Sequence, residues 1–434
     1  MGHILFALLL AVAAVLLVAG GRLRERYPIA VWYCTGYPRT ALRILWHWRE
    51  VARHTDLAVS PSPARTLIAD VIVTGRPLRP VAPRISFPKP TRTGVSLLVR
   101  LHPGQTPELY KAAVEALAHA WRVHAVRVTS PDRGFVLLTA TAVDPLQHPG
   151  RAHAKPALLS ALVGILEAGG AWVLDFRTVP HWMIVGATQS GKSTLLARLV
   201  TQLAPQHVAL VGIDCKGGME LGLFESRLSA LATSRREAAA ALGALVIELQ
   251  ERMLVCREAG VRSIWQLPEK LRPVPIVVIV DELAELYLHD GTRESKAEAE
   301  QCSVYLLRIA QLGAVLGLHL VVAGQRIGSE LGSGVTALRA QLSGRICHAV
   351  NDPGTAEMTL GDLAKDAVAA AQSITAEEKG VAICLGADGG WSRARSHLTT
   401  IDQAREITAK HFHLTPVLPG VHRALLMADG DGAS

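Results

Sequence analysis

From Ile4 to Gly21 the chain is apolar without interruption. These 18 residues would reach about 27 Å as a helix, close to the apolar thickness of a bilayer. Arg22, Arg24 and Arg26 follow at once, and only His3 and the α-amino group precede the run. The pattern predicts a single membrane-spanning anchor over residues 1–22, with its N-terminus outside and the rest of the chain in the cytoplasm. An export signal would carry its positive charge ahead of the apolar run, the reverse of what stands here. Leu306–Ala323 is apolar too, but Arg308, Gln311 and His319 break it into a helix followed by a strand.

Residues 23–93 read as a juxtamembrane segment and linker. Arg39–Arg53 carries Trp46 and Trp48 among several arginines. It is either a helix lying along lipid headgroups or an amphipathic helix packed on protein. Pro61, Pro63, Pro77, Pro80, Pro83, Pro88 and Pro90 mark a linker with one strand near Leu67–Val73. Over 94–150 the pattern changes to a small α+β module. Strands are predicted at Val95–Leu101, Val123–Thr129 and Phe135–Thr141, with a helix opened by Thr106-Pro107-Glu108 and running to about His119.

Over 151–402, short runs rich in Val and Ile alternate with helical stretches. Strands are predicted at His181–Val185, Val208–Asp214, Ile276–Val280, His319–Ala323, Arg345–Val350 and Val381–Leu385, and long helices at Arg235–Glu258 and Glu294–Val315. Continuous apolar strands between helices predict a parallel sheet buried on both faces. Residues 403–434 read as a short tail.

Composition alters this picture in one respect. The net charge of +8 suggests a polyanionic partner, yet residues 22–150 hold 18 bases against eight acids while 151–434 hold 27 against 29. Any nucleic acid held by the second region must be gripped by a few local loops, not by a broad positive face. The six cysteines form no C-x-x-C pair, which argues against a zinc site or a disulfide framework and fits a reducing compartment.

The chemistry is concentrated at strand ends. Gly186-Ala187-Thr188-Gln189-Ser190-Gly191-Lys192-Ser193, followed by Thr194, is a complete phosphate-binding loop between an apolar strand and a helix. Its glycines let backbone N–H groups and the helix N-terminus face phosphates. Lys192 would reach the β- and γ-phosphates and the Ser193 hydroxyl would take a place on Mg²⁺. About 90 residues later, Ile276–Val280 ends in Asp281-Glu282. These acids either hold Mg²⁺ and polarise the attacking water or cap the helix Leu283–Tyr287. His319–Ala323 ends in Gly324-Gln325-Arg326, where Gln325 is either a γ-phosphate sensor or a turn residue. Asp214-Cys215-Lys216-Gly217-Gly218 closes another strand on the side where ligands gather in an open parallel sheet.

Taken in order, G-A-T-Q-S-G-K-S, I-D-C-K-G-G-M-E-L, I-V-V-I-V-D-E-L-A-E-L and G-L-H-L-V-V-A-G-Q-R-I resemble the FtsK/SpoIIIE family over about residues 155–400. The resemblance implies a RecA-like P-loop ATPase, assembled as a ring and typically a hexamer, that pumps double-stranded DNA with ATP and Mg²⁺. It assigns Lys192 and Ser193 to the phosphate loop, Asp281 to Mg²⁺, Glu282 to the water-activating base and Gln325 to the sensor. It also implies an arginine supplied across a subunit interface, with Arg345 the first candidate and Arg326 the second, and a DNA-facing loop at Ile327–Ala340 with Arg339. One span, a short linker and a C-terminus too brief for a DNA-reading winged helix resemble the compact conjugative transfer proteins of actinomycete plasmids and integrative elements. Chromosome segregation, a type VII-like secretion ATPase and a non-hydrolysing ATP-binding scaffold are the alternatives.

Overall fold

The computed structural model describes residues 31–60, 80–91, 93–142, 144–147, 153–361, 365–386 and 390–430. The predicted anchor and the predicted strand at Leu67–Val73 lie outside these residues. No helix among the described residues is long and apolar enough to cross a membrane. Contacts divide the chain after Pro145 into two units.

The first unit is larger than the predicted module. Helix α1 (Tyr37–His54) joins it, as do the short strands β1 (Arg84–Ile85) and β2 (Lys89–Pro90). Both short strands pair antiparallel with β3 (Gly94–Arg100). The predicted helix at 106–119 is two, α2 (Pro107–Ala112) and α3 (Val114–Trp121), joined at Ala113. Strands β4 (Ala125–Thr129) and β5 (Phe135–Thr141) complete an antiparallel sheet ordered β1-β3-β5-β4. Alternating residues of its strands, such as Leu97, Val99, Val136 and Leu138, meet Ile44, Trp48 and Ala52 of α1 and Leu117 and Trp121 of α3 in one core. Trp48 also donates its indole N–H to Pro83 O at 2.8 Å. One face of α1 therefore packs on protein, and the segment read as part of a linker is a structural element.

The second unit is built on a ten-stranded sheet. In chain order its elements begin with β6 (Ser160–Leu166), β7 (Ala171–Asp175), β8 (His181–Val185), α4 (Lys192–Leu203), β9 (Ala209–Ile213), β10 (Ala230–Ala232) and α5 (Arg235–Glu258). Next come β11 (Ile276–Val280), α6 (Leu283–Tyr287), α7 (Arg293–Leu316), β12 (Leu318–Gly324), α8 (Val335–Gln341) and β13 (Gly344–His348). The unit ends with α9 (Pro353–Ala356), α10 (Lys365–Gln372), β14 (Val381–Leu385), β15 (Trp391–Ser396), α11 (Ile401–Lys410) and α12 (Pro419–Gly430).

The order across the sheet is β10-β9-β11-β12-β8-β13-β14-β15-β6-β7. From β10 to β13 the pairs are parallel; from β13 to β7 they are antiparallel. The two-residue period of a strand sorts the apolar runs onto two faces. Ile276, Val278 and Val280 of β11 join Leu242, Leu245 and Leu249 of α5 and Leu306 and Ile309 of α7. Val277 and Ile279 join Leu195, Leu199 and Leu203 of α4 on the other face. Burial on both faces is why these strands read as unbroken Val/Ile runs. The predicted tail is part of this unit: Val421 of α12 packs into the α5 core, and His422 Nε2 lies 2.6 Å from Ser229 O.

Candidate functional site

Strand β12 lies between β8 and β11, so the loops after all three, with the loop after β9, emerge side by side at the carboxyl edge of the parallel strands. That edge is where ligands bind in open α/β sheets, because helix N-termini and flexible turns face the same crevice. There, a cleft of about 580 Å³ is lined by Ala187, Lys192, Ser193, Asp281 and Gln325, among others.

The phosphate loop is fixed from three directions. Gly186 N–H donates to Gly324 O at 3.3 Å, Ala187 N–H to Ala349 O at 2.8 Å, and Gly380 N–H to Ser190 O at 2.9 Å. Gly191 caps α4 at φ +116°, and a Cβ there would fall 2.6 Å from Gly380 Cα. Only glycine fits both that dihedral and that approach. Gln189 also has positive φ, +65°, with a non-glycine side chain. His348 supports the loop from below. It is fully buried with Nδ1 3.0 Å from Val381 O, and burial lowers its imidazole to about 4.

Two lysines meet two acids at the centre. Lys192 Nζ is 3.3 Å from Glu282 Oε2, and Lys216 Nζ is 3.5 Å from Asp281 Oδ2 and 3.7 Å from Glu282 Oε2. Burial raises the Asp281 carboxyl above its ordinary range, with Lys216 opposing. Burial also acts to lower the Lys216 ammonium, but Asp281 and Glu282 outweigh it and hold it above its usual value. Gln325 N–H donates to Glu282 Oε1 at 3.1 Å, which ties the end of β12 to the acid. Glu282 stands at the N-cap of α6 yet its side chain accepts no capping bond. That geometry decides against the helix-cap alternative for it.

Lys216 and its support are what sequence reasoning named without a role. Buried Asp214 accepts from the Glu220 and Leu221 N–H groups at 2.8 and 2.9 Å and from Lys216 N–H at 3.3 Å. This folds the D-C-K-G-G turn so that Lys216 reaches across to the acids. Lys379, Gly380, Arg395, Ser396 and Leu398 form the opposite wall of the cleft. They come from the antiparallel β14–β15 extension and carry no motif; a glycine just before a predicted strand was the one signal.

The proposed trans arginine requires correction. Arg345 on β13 is 3% exposed, and its guanidinium donates to Leu342 O, Thr359 O and Arg339 O at 3.3, 2.9 and 3.2 Å. It is spent on its own chain and cannot be extended to a neighbour. Arg326, next in sequence to Gln325, is exposed and pairs with Glu330 at 2.6 Å and Asp352 at 3.8 Å. Within Ile327–Ala340, Ile327, Val335 and Leu338 are buried, and Arg339 lies 3.4 Å from Ile327 O.

Loop, acids and sheet order define a P-loop α/β nucleotide-binding protein. Residues 18–142 match the actinomycete conjugal transfer protein N-terminal domain, and residues 143–329 match the FtsK/SpoIIIE family. The chain belongs to the FtsK/SpoIIIE family, within the branch that carries the actinomycete conjugal transfer N-terminal domain. It is 41% identical over 395 residues to a transfer protein, TraSA, of Streptomyces ambofaciens, covering 88% of this chain and 94% of that protein. A sporulation regulatory protein of Streptomyces azureus is 43% identical over 266 residues, 61% of this chain and 88% of that one. Among solved structures, the pCW3 conjugation coupling protein TcpA with ATPγS aligns over 83% of this chain and 98% of its own, at 20% identity and a TM-score of 0.56, which is a likeness of fold.

Proposed function

We propose that this protein is a membrane-anchored ATPase that moves double-stranded DNA between cells during conjugation, working as a homo-oligomeric and most simply hexameric ring. The observation that carries the reading is the meeting of Lys192, Ser193, Asp281, Glu282 and Gln325 at one sheet edge. The relative named a transfer protein, matched over nearly its whole length, supports conjugation over chromosome segregation or protein secretion.

The residues fit ATP with Mg²⁺. The phosphate loop and Asp281 line one cleft, and two carboxylates already attract two ammonium groups, so the acids suit a divalent cation. Ser193 and Asp281 would hold Mg²⁺, which when bound offsets charge on the β- and γ-phosphates. Lys192 leaves Glu282 for the phosphates. Freed of that lysine, Glu282 accepts the proton of the attacking water. Gln325, whose N–H bonds the same carboxylate, reads the γ-phosphate and relays its loss to the segment after β12. With Arg345 withdrawn, Arg326 carries the proposal of an arginine offered to a neighbouring subunit. DNA is held by few contacts inside the ring, since residues 151–434 have no basic excess.

The test is the ATPase rate of the full chain with and without duplex DNA. Stimulation by duplex, and not by free nucleotides, supports the proposal; hydrolysis indifferent to duplex DNA overturns it.

A further inference from the structure

The outward face of α1 forms a second cleft, of about 870 Å³, closed on its other side by α3. Arg39, Leu42, Arg43, Trp46 and Glu50 fall on one stripe of α1 at three- and four-residue spacing, and Arg122 caps α3 opposite. Trp46 is 81% exposed and Leu42 54%, although Trp48, two residues on, is buried. The helix period thus divides two tryptophans between the core and the surface. Glu50 is the acid in the cleft lining and is 3.6 Å from His47. Arg43 Nη1 donates to Trp121 O at 3.0 Å, which locks the helix pair and fixes the cleft's floor. Arg122 holds φ +53°, a conformation glycine would adopt freely, so its side chain is kept at a backbone cost.

We infer that this cleft seats on an anionic bilayer surface, with arginines on phospholipid phosphates and Trp46 and Leu42 at the acyl boundary. Exposed leucine beside exposed tryptophan and arginine fits a headgroup interface, where one end of a ring is apolar and the other wet. Duplex DNA presents phosphates but no apolar layer for Leu42. The apolar run ending at Gly21 lies 18 residues before Arg39, which would bring the cleft to the membrane. In that respect the inference rests on the anchoring reading. Headgroup contact at this cleft would hold the first unit against the bilayer by a second, charge-dependent grip.

The experiment uses the full chain reconstituted in vesicles of phosphatidylcholine alone or with phosphatidylglycerol. Flotation reports anchoring. Trp46 emission, isolated as the difference from Trp46→Phe, reports the cleft through quenching by brominated lipid. The expected result is quenching at least about twofold stronger with phosphatidylglycerol, as surface-potential attraction requires. Arg39→Glu with Arg122→Glu should reduce it to the neutral-lipid level while flotation and thermal unfolding stay unchanged. These side chains are exposed, so folding is not at stake. Equal quenching in both lipids, or quenching untouched by the charge reversals, overturns the inference. A Trp46 response to short duplex DNA with none to anionic vesicles overturns it in favour of nucleic acid. Failure to float in either lipid defeats the anchoring reading as well.

Discussion

The ammonium of Lys216 stands 3.5 Å from Asp281 and 3.7 Å from Glu282, and so bridges the two acids on which hydrolysis is proposed to depend. Removing it leaves two buried carboxylates facing Lys192 alone. Lys216→Met should lower nucleotide-free stability by about 1–2 kcal/mol, less than a fully buried pair because the lysine is partly in water. Saturating Mg²⁺ should restore most of the loss. Thermal unfolding with and without Mg²⁺ measures this, and an unchanged midpoint would show that the acids need no resident cation.

Glu282→Gln keeps the shape of the side chain and its acceptor for Gln325 N–H but removes the base. ATP binding should survive while turnover drops by about 10²- to 10⁴-fold, the usual size of a general-base contribution. Equilibrium binding and single-turnover hydrolysis separate the two. Undiminished turnover would remove Glu282 from its role.

Arg345 and Arg326 should behave in opposite ways. Arg345→Ala orphans three carbonyls around a buried site and should cost on the order of 3 kcal/mol in urea unfolding. Arg326→Ala should leave unfolding unchanged and reduce ATPase only where subunits meet. Mixing Arg326→Ala with Glu282→Gln subunits tests whether one interface can recover activity. No recovery at any ratio, with Arg326→Ala alone fully active, would exclude Arg326.

Gly191→Ala places a methyl group against Gly380 at a dihedral that L-residues avoid. Strain of about 1–3 kcal/mol in the loop should weaken ATP binding by roughly 10- to 100-fold. Isothermal titration is the check. Unaltered affinity would mean the loop does not need this geometry to bind.

Three buried imidazoles set an acid limit. Burial lowers His181 and His348 to about 4 and His319 to about 3, against an ordinary value near 6.5. Native imidazoles therefore bind fewer protons than unfolded ones, and the stability they contribute is full above pH 6.5 and lost as pH falls toward 4. Urea unfolding of the second unit should weaken steadily across that window. His348→Gln should flatten part of the slope; a profile level from pH 7 to 5 would contradict the buried neutral state.

Much of the site was legible because its chemistry sits where apolar strands end. Asp281 and Gln325 follow strands buried on both faces, and Lys192 belongs to a loop motif with fixed spacing. Strand β11 is wholly apolar, while β8 and β12 each carry a buried histidine, His181 and His319. Glu282 was legible as one of two options; its side chain makes no capping bond and faces Lys192 and the Gln325 N–H instead. Arg345 was not legible. A charged residue opening a strand is ordinarily exposed, and only the folded turn brings Leu342 O, Arg339 O and Thr359 O around it. The cleft wall at Lys379–Leu398 escaped notice for a related reason, being made by backbone approach and not by a motif. In α1, composition put both tryptophans at one interface, while the 3.6-residue period placed them on opposite faces. The helix Pro419–Gly430 was read as tail because its few apolar residues gain meaning only against α5.

The three backbone bonds that hold the phosphate loop have a kinetic consequence. The loop is already shaped before nucleotide arrives, so ordering it adds little to the association barrier. In the proposed mechanism, what changes is the company kept by Lys192, which would leave Glu282 on ATP entry and return when the phosphates depart. Nucleotide exchange should then slow or quicken with the strength of that one ion pair, a clock placed between strands β8 and β11 and independent of loop motion.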